Sequence, residues 1–271
     1  MTYRKLIYEG DIRQWFAEIM STDESLLLCS GPEVAENSSP EPEMKERAIG
    51  LYTSASTGQS KCIWNTYERL MLNAQITARE FEVTESDTLL MMAKPWHVAG
   101  LSWVFMAEQV NANYSFIPTK KGDVQRWYRA IREVRPTYVL TVPAVLRRLC
   151  AYENWQVQKV VFGGAPMAAE DYEPLAKHCS TIYQGYGQTE AGGLISCRKM
   201  RLDGALADEN LASNYGQPPE EFELRCDGTT GGPASVWLKS STAIYRGFYD
   251  TGDLGYLEKD GALVLQGRSD A

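Results

Sequence analysis

Short apolar runs alternate with segments of helical period along most of this 271-residue chain, and that alternation narrows the possible folds more than any other feature. Residues 47–53 read as a strand entering a loop of small residues. A helix is expected directly after that loop, because Ile63, Tyr67, Leu70, Met71 and Ala74 fall at helical spacing. Residues 88–107 are mostly apolar, but Lys94, Pro95 and His97 interrupt them centrally. A membrane-spanning helix tolerates such a charge poorly, so a buried strand, a loop and the start of a helix are expected there. Val124, Trp127, Tyr128, Ile131 and Val134 form one helical face, with Asp123 as N-cap and Pro136 as stop. Residues 138–142 read as a buried strand, 144–150 as a short helix and 158–162 as another strand. Pro166 fits the start of a helix reaching about Lys177, and 181–183 a short strand. The expected fold is α/β, a mainly parallel sheet flanked by helices.

The pattern differs at both ends. Residues 1–30 read as a small helical start followed by the apolar run 26–29, and 31–45 as an exposed loop rich in Pro, Ser and Glu. Beyond residue 200, short strands at 221–225, 235–238, 255–257 and 262–265 are separated by turns such as Asp227-Gly228, Gly231-Gly232 and Asp260-Gly261. They predict a small antiparallel β subdomain. The expected division is a shortened N-terminal region at 1–45, an α/β core at 46–200 and a β-rich subdomain at 201–271.

Charge and cysteine usage exclude several classes. A formal net charge of -8 argues against a nucleic-acid partner, since phosphate backbones need clustered Lys and Arg. Six scattered cysteines in a chain this long read as free thiols of a reducing compartment, and with only His97 and His178 available zinc is not expected. The first nine residues have no signal-peptide core, so a cytoplasmic protein is expected.

Five segments carry chemistry. Tyr52-Thr-Ser-Ala-Ser-Thr-Gly-Gln-Ser-Lys61 follows a strand; small side chains let successive N–H groups face one anion, and Lys61 can cancel phosphate charge. It is not a Walker A loop. Phe162-Gly-Gly-Ala-Pro166 lets a flat ligand approach the backbone. Tyr183-Gln-Gly-Tyr-Gly-Gln-Thr-Glu190 offers the Tyr186 ring for stacking, the Thr189 hydroxyl for phosphate and the Glu190 carboxylate for a hard cation. In Tyr249-Asp-Thr-Gly-Asp-Leu-Gly255, Asp253 can accept two ribose hydroxyls, with Arg268 of Gly267-Arg-Ser-Asp270 in reach of the same ribose or a phosphate. Lys94-Pro-Trp-His-Val-Ala-Gly100 places His97 in an apolar run. Taken singly, these segments fit a surface turn, a strand-to-helix turn, an aromatic turn, a hairpin with a salt bridge, and a core histidine.

In this order, from about Ala48 to Ala271, they resemble the acyl-adenylate-forming superfamily of acyl- and aryl-CoA ligases, luciferases and peptide-synthetase adenylation domains. Residues 53–61 match its phosphate loop, 163–166 its adenine loop, 186–190 its Tyr-Gly-x-Thr-Glu motif, 251–253 its Thr-Gly-Asp motif and 267–270 its hinge. His97-Val-Ala-Gly-Leu-Ser102 and Arg268-Ser-Asp270 look most like the o-succinylbenzoate-CoA ligases of menaquinone synthesis. The resemblance implies ATP-dependent activation of a small carboxylic acid to an acyl-adenylate, with ATP/AMP, Mg2+ and CoA as ligands. Implied for the phosphates are Thr53, Ser54, Ser56, Thr57, Gly58 and Lys61. Gly164, Ala165, Pro166, Tyr186 and Gly187 are implied for adenine, Thr189 for phosphate, Glu190 for Mg2+, and Asp253 and Arg268 for ribose. His97 and Gly185 are implied to gate or wall the acyl pocket, and Lys61, His97 and Glu190 to act in catalysis.

The sequence departs from the family in two respects. Ala55, Ser60 and Cys62 stand where Gly, Pro and Gly are usual. The chain also reaches only the hinge aspartate, Asp270, so the family's C-terminal lid with its charge-neutralising lysine is expected to be missing and turnover by this chain alone to be poor. Two other readings stay open: a lid-less, non-catalytic nucleotide or acyl-adenylate binder, and an adenylation module loading a carrier-protein thiol. A serine hydrolase would need a Gly-x-Ser-x-Gly elbow, which this sequence lacks.

Overall fold

In the computed structural model, which describes residues 3–29, 46–53, 61–117, 124–202, 212–226 and 233–269, the chain forms three sheets. The first has the order β1 (Tyr3–Ile7), β2 (Ser25–Cys29), β3 (Ala48–Tyr52), β4 (Cys62–Thr66). Its first three strands are parallel and β4 is antiparallel to β3. Helix α1 (Ile12–Ser21) joins β1 to β2; Asp11 caps it by accepting from the backbone N–H groups of Arg13 and Gln14. Strand β1 precedes the helix expected at the start of the chain. Its Arg4 and Lys5 mask the apolar signal, and parallel pairing with β2 compensates.

Strand β4 lies where a helix was expected to begin. Ile63 and Trp64 belong to this strand, which pairs along its whole length with β3, from Ala48 opposite Thr66 to Tyr52 opposite Cys62. The helix, α2 (Tyr67–Glu80), starts only after Thr66, whose Oγ1 accepts from Arg69 N. Strands β3 and β4 therefore pair as a hairpin.

The second sheet is β10–β9–β8–β7–β5–β6, built from β5 (Thr88–Met91), β6 (Asn113–Phe116), β7 (Tyr138–Thr141), β8 (Lys159–Gly163), β9 (Thr181–Gln188) and β10 (Gly193–Arg201). All are parallel except β10, which returns antiparallel along β9. Side-chain alternation fixes the layers. Leu89, Met91, Tyr138, Leu140, Val161 and Tyr183 enter one core with α2 and α3 (Val98–Gln109). Leu90, Val139, Val160, Phe162 and Ile182 enter another with α4 (Val124–Val134), α5 (Pro143–Leu149) and α6 (Tyr172–Ala176). The helix expected from Pro166 begins later: a 3-10 turn at Ala169–Asp171 leads into α6. The N-cap expected at Asp123 lies outside the described residues.

The third sheet is antiparallel, β11 (Phe222–Cys226), β12 (Ala234–Ser240), β13 (Tyr249–Leu257) and β14 (Leu263–Arg268), as expected for the small subdomain. Its apolar face shares a core with Ile76, Tyr186, Ala191 and Ile195, so it packs against the β9–β10 edge of the second sheet. Strand β13 is longer than expected and carries Thr251, Gly252 and Asp253 within it.

Candidate active site

The parallel sheet has a topological switch point. From β5 the chain passes through α3 on one face to the edge strand β6. It then crosses back through α4 on the other face to β7. Ligands of open α/β sheets bind in the crevice at the carboxyl ends of such strands. The loop after β5 carries Lys94, Trp96 and His97 into this region, while β8 ends at Gly163 and β9 at Gln188. His97 is the N-cap residue of α3. Burial, with Lys94 adding to it, pushes its imidazole below the usual histidine pKa, and the backbone of Tyr52 at the end of β3 partly opposes the shift. At the neck of the β3–β4 hairpin, Thr53 N and Oγ1 both donate to Lys61 O, at 2.9 and 3.3 Å.

Two glycines shape the end of β8. Gly163 pairs with Gly185, and a Cβ there would lie 2.7 Å from Gly185 O, so any side chain would force the two strands apart. Gly164 has φ +77° and open space where a Cβ would be. Ala165 and Pro166 follow it, exposed.

The most developed polar cluster joins β9 to β13 and β14. Asp253 is buried, and its carboxylate accepts from the Tyr186 hydroxyl at 2.6 Å and from Gln188 Nε2 at 2.7 Å, both on Oδ2. Arg268 Nη1 donates to Oδ1 at 3.1 Å and to Thr251 O at 3.2 Å. Gln188 Nε2 also donates to Thr251 O at 2.9 Å and to the Tyr186 oxygen at 3.2 Å. Burial and the adjacent Asp253 hold the Tyr186 phenol well above its ordinary pKa, so it remains a donor. Its ring packs against Tyr215 with centroids 5.7 Å apart.

The 3-10 turn Thr189–Ala191 follows directly, and buried amides anchor it. Asn65 of β4 donates to Thr189 O at 3.0 Å. Asn73 of α2 donates to Ala191 O at 3.2 Å and Leu194 O at 2.8 Å, and accepts from Leu194 N at 3.0 Å. Thr242 Oγ1 donates to Ala191 O and Ile244 N to Glu190 O. The charge of Glu190 reaches Tyr249 and, behind burial, helps raise that phenol's pKa.

The structure thus brings Tyr186, Asp253 and Arg268 into direct contact and sets Gly185 beside Gly163. Thr189 and Glu190 lie on the turn immediately beyond β9, and Gly187 is exposed near that strand's end. Thr53, Lys61 and His97 form a second group around the hairpin neck, tied to the first through β4 by Asn65. Ser54, Ser56, Thr57 and Gly58 lie outside the described residues. Sequence reasoning missed Gln188, Asn65, Asn73 and Tyr249. For Asn73 a signal existed, an amide on the apolar face of an amphipathic helix beside Leu70, Ala74 and Thr77.

Residues 7–241 match the family described as AMP-binding enzyme. The chain is 26% identical over 257 residues to a protein named "Probable CoA ligase CCL5" of Humulus lupulus, covering 83% of this chain and 46% of that one. It is 26% identical over 247 residues to a 2-succinylbenzoate–CoA ligase of Bacillus licheniformis, covering 84% and 51%. It therefore spans about half the length of these relatives. Among solved structures, O-succinylbenzoate coenzyme A synthetase from Bacillus subtilis in complex with AMP superposes with a TM-score of 0.70 at 19% identity, covering 94% of this chain and 60% of that one. The inhibitor-bound N-terminal domain of FACL13 from Mycobacterium tuberculosis gives 0.70 at 21% identity, covering 97% and 73%. These likenesses show the fold.

Proposed function

The chain belongs to the AMP-binding enzyme family, and on that premise we propose that its crevice binds ATP and a carboxylic acid and joins them as an acyl-adenylate. A carboxylate oxygen attacks the α-phosphorus, the bond to the bridging β-phosphate oxygen breaks, and pyrophosphate leaves. A thiol, that of CoA, then attacks the acyl carbon and AMP leaves. The observation carrying this reading is the buried Asp253 carboxylate beside the carboxyl end of β9, with Tyr186 and Arg268 on either side. A fixed carboxylate with an aromatic ring next to it suits a nucleoside, whose ribose offers donors and whose base offers a face.

The remaining assignments follow the resemblance of the motifs. Asp253 and Arg268 serve the ribose. The Tyr186 ring, Gly187 and the flat, exposed run Gly164, Ala165, Pro166 serve adenine. Thr53, Ser54, Ser56, Thr57, Gly58 and Lys61 serve the β- and γ-phosphates, with Thr189 on the α-phosphate. His97, neutral near pH 7, and Gly185 border the acyl group. Mg2+ suits Glu190, on the turn just beyond β9, because magnesium accepts a single carboxylate completed by water and phosphate oxygens. Bound there it would neutralise phosphate charge. Catalysis of this kind rests on positioning and charge neutralisation.

The relatives named for 2-succinylbenzoate support an aromatic keto acid of that type as the substrate, with a place in menaquinone synthesis. ATP–pyrophosphate exchange with a panel of carboxylic acids, alongside calorimetric titration of AMP, tests the reading. Exchange stimulated by one acid class, with AMP bound, is expected. A folded chain that binds neither ATP nor AMP overturns it.

A further inference from the structure

Asp253 is already nearly saturated with donors. A carboxylate offers about four lone-pair positions. Two on Oδ2 are taken by Tyr186 and Gln188, at 2.6 and 2.7 Å, and one on Oδ1 by Arg268 at 3.1 Å. Among the described residues one position remains, whereas a ribose presents two hydroxyls. Of the two neutral donors, Tyr186 and Gln188, only Gln188 keeps another acceptor when it leaves: its second N–H already faces Thr251 O at 2.9 Å. At its other end Gln188 Oε1 meets the Tyr249 hydroxyl at 3.4 Å, a phenol that also senses Glu190.

We propose that Gln188 is a competing donor on Asp253, which ribose must displace, so that it sets how strongly the site distinguishes ribose from deoxyribose. This rests on the nucleotide reading above. With Gln188 in place, Asp253 accepts one ribose hydroxyl at full strength, and the second gains only the difference between its own bond and the amide's. Without the amide, Oδ2 accepts the second hydroxyl outright.

Calorimetric titration of AMP, 2′-deoxy-AMP and 2′,3′-dideoxy-AMP into the wild-type chain, Gln188→Met and Tyr249→Phe tests this. A hydrogen bond to a charged acceptor, less the bond lost, corresponds to roughly a 3- to 10-fold change in affinity. Gln188→Met is therefore expected to bind AMP roughly 3- to 10-fold more tightly than wild type, with dideoxy-AMP unchanged. Tyr249→Phe, which removes the hydroxyl that meets the amide oxygen, moves AMP in the same direction by less and supplies the readout should Gln188→Met fail to fold. Weaker AMP binding by Gln188→Met, or equal shifts for AMP and dideoxy-AMP, overturns the proposal and makes Gln188 a support of the site. If no protein binds any of the three nucleotides while all give folded spectra, the nucleotide reading itself fails.

Discussion

Asp253 and Arg268 face each other in register on β13 and β14, and the guanidinium reaches the carboxylate at 3.1 Å. The carboxylate is buried while the Arg268 side chain is 45% exposed, so the pair opens to solvent on one side only. The exposed Arg268 adds little by itself, but without it the buried Asp253 charge keeps, among the described residues, only the neutral donors Tyr186 and Gln188. Arg268→Met is therefore expected to cost about 1–3 kcal/mol in urea. The same variant should weaken AMP at least ~10-fold, because on the proposed reading the Arg268 guanidinium itself donates to the nucleotide as a charged group. Denaturation and titration of one preparation separate the two effects.

Gly163 and Gly164 differ although they are neighbours. Gly163→Ala places a Cβ 2.7 Å from Gly185 O and is expected to cost about 2–3 kcal/mol by forcing β8 and β9 apart. Gly164→Ala meets open space and pays only for its left-handed backbone, about 1 kcal/mol. Thermal melts of both variants check the order.

Asn73 holds the turn that carries Glu190. Asn73→Leu would remove the side-chain partner of Leu194 N and Leu194 O in the interior and leave Ala191 O to Thr242 alone, at a cost of about 2–4 kcal/mol. The loss should appear as a lower urea midpoint, with ATP affinity falling more than AMP affinity.

His97 gives a pH dependence of known sign. Its folded pKa is lowered by burial and Lys94, so below about 6.5 the unfolded chain binds more protons than the folded one. Stability therefore falls as pH drops from 6.5 through the folded pKa, and is unaffected by this group above 6.5. Urea midpoints of wild type and His97→Gln at pH 7.5 and 5.5 check this: wild type should lose more on acidification than the variant.

Much of this fold could be read from periodicity. The alternation of β5, α3, α4, β7, α5 and β8 and the antiparallel C-terminal strands follow from apolar spacing and glycine turns. Strand β4 looks like helix in the sequence because Ile63 sits four residues before Tyr67, so a five-residue strand abutting a helix mimics an earlier helical turn. Strands β1 and β10 mix Arg and Lys with apolar residues, and partners distant in sequence supply their stability. The proposed site residues, such as Tyr186 and Asp253, stand in recognisable strings. Gln188 occupies the variable position of its motif, and only the pairing of β9 with β10 and the approach of β13 bring its amide to Asp253.

One measurement tests the adenylate site most directly: calorimetric titration of a non-hydrolysable acyl-sulfamoyl adenosine into wild type and Asp253→Ala. The wild-type chain should bind it, and the folded variant at least ~10-fold more weakly, since a buried charged acceptor with its partners is lost. Equal affinity for the two proteins, or none for wild type, would contradict an adenylate held between Tyr186, Asp253 and Arg268.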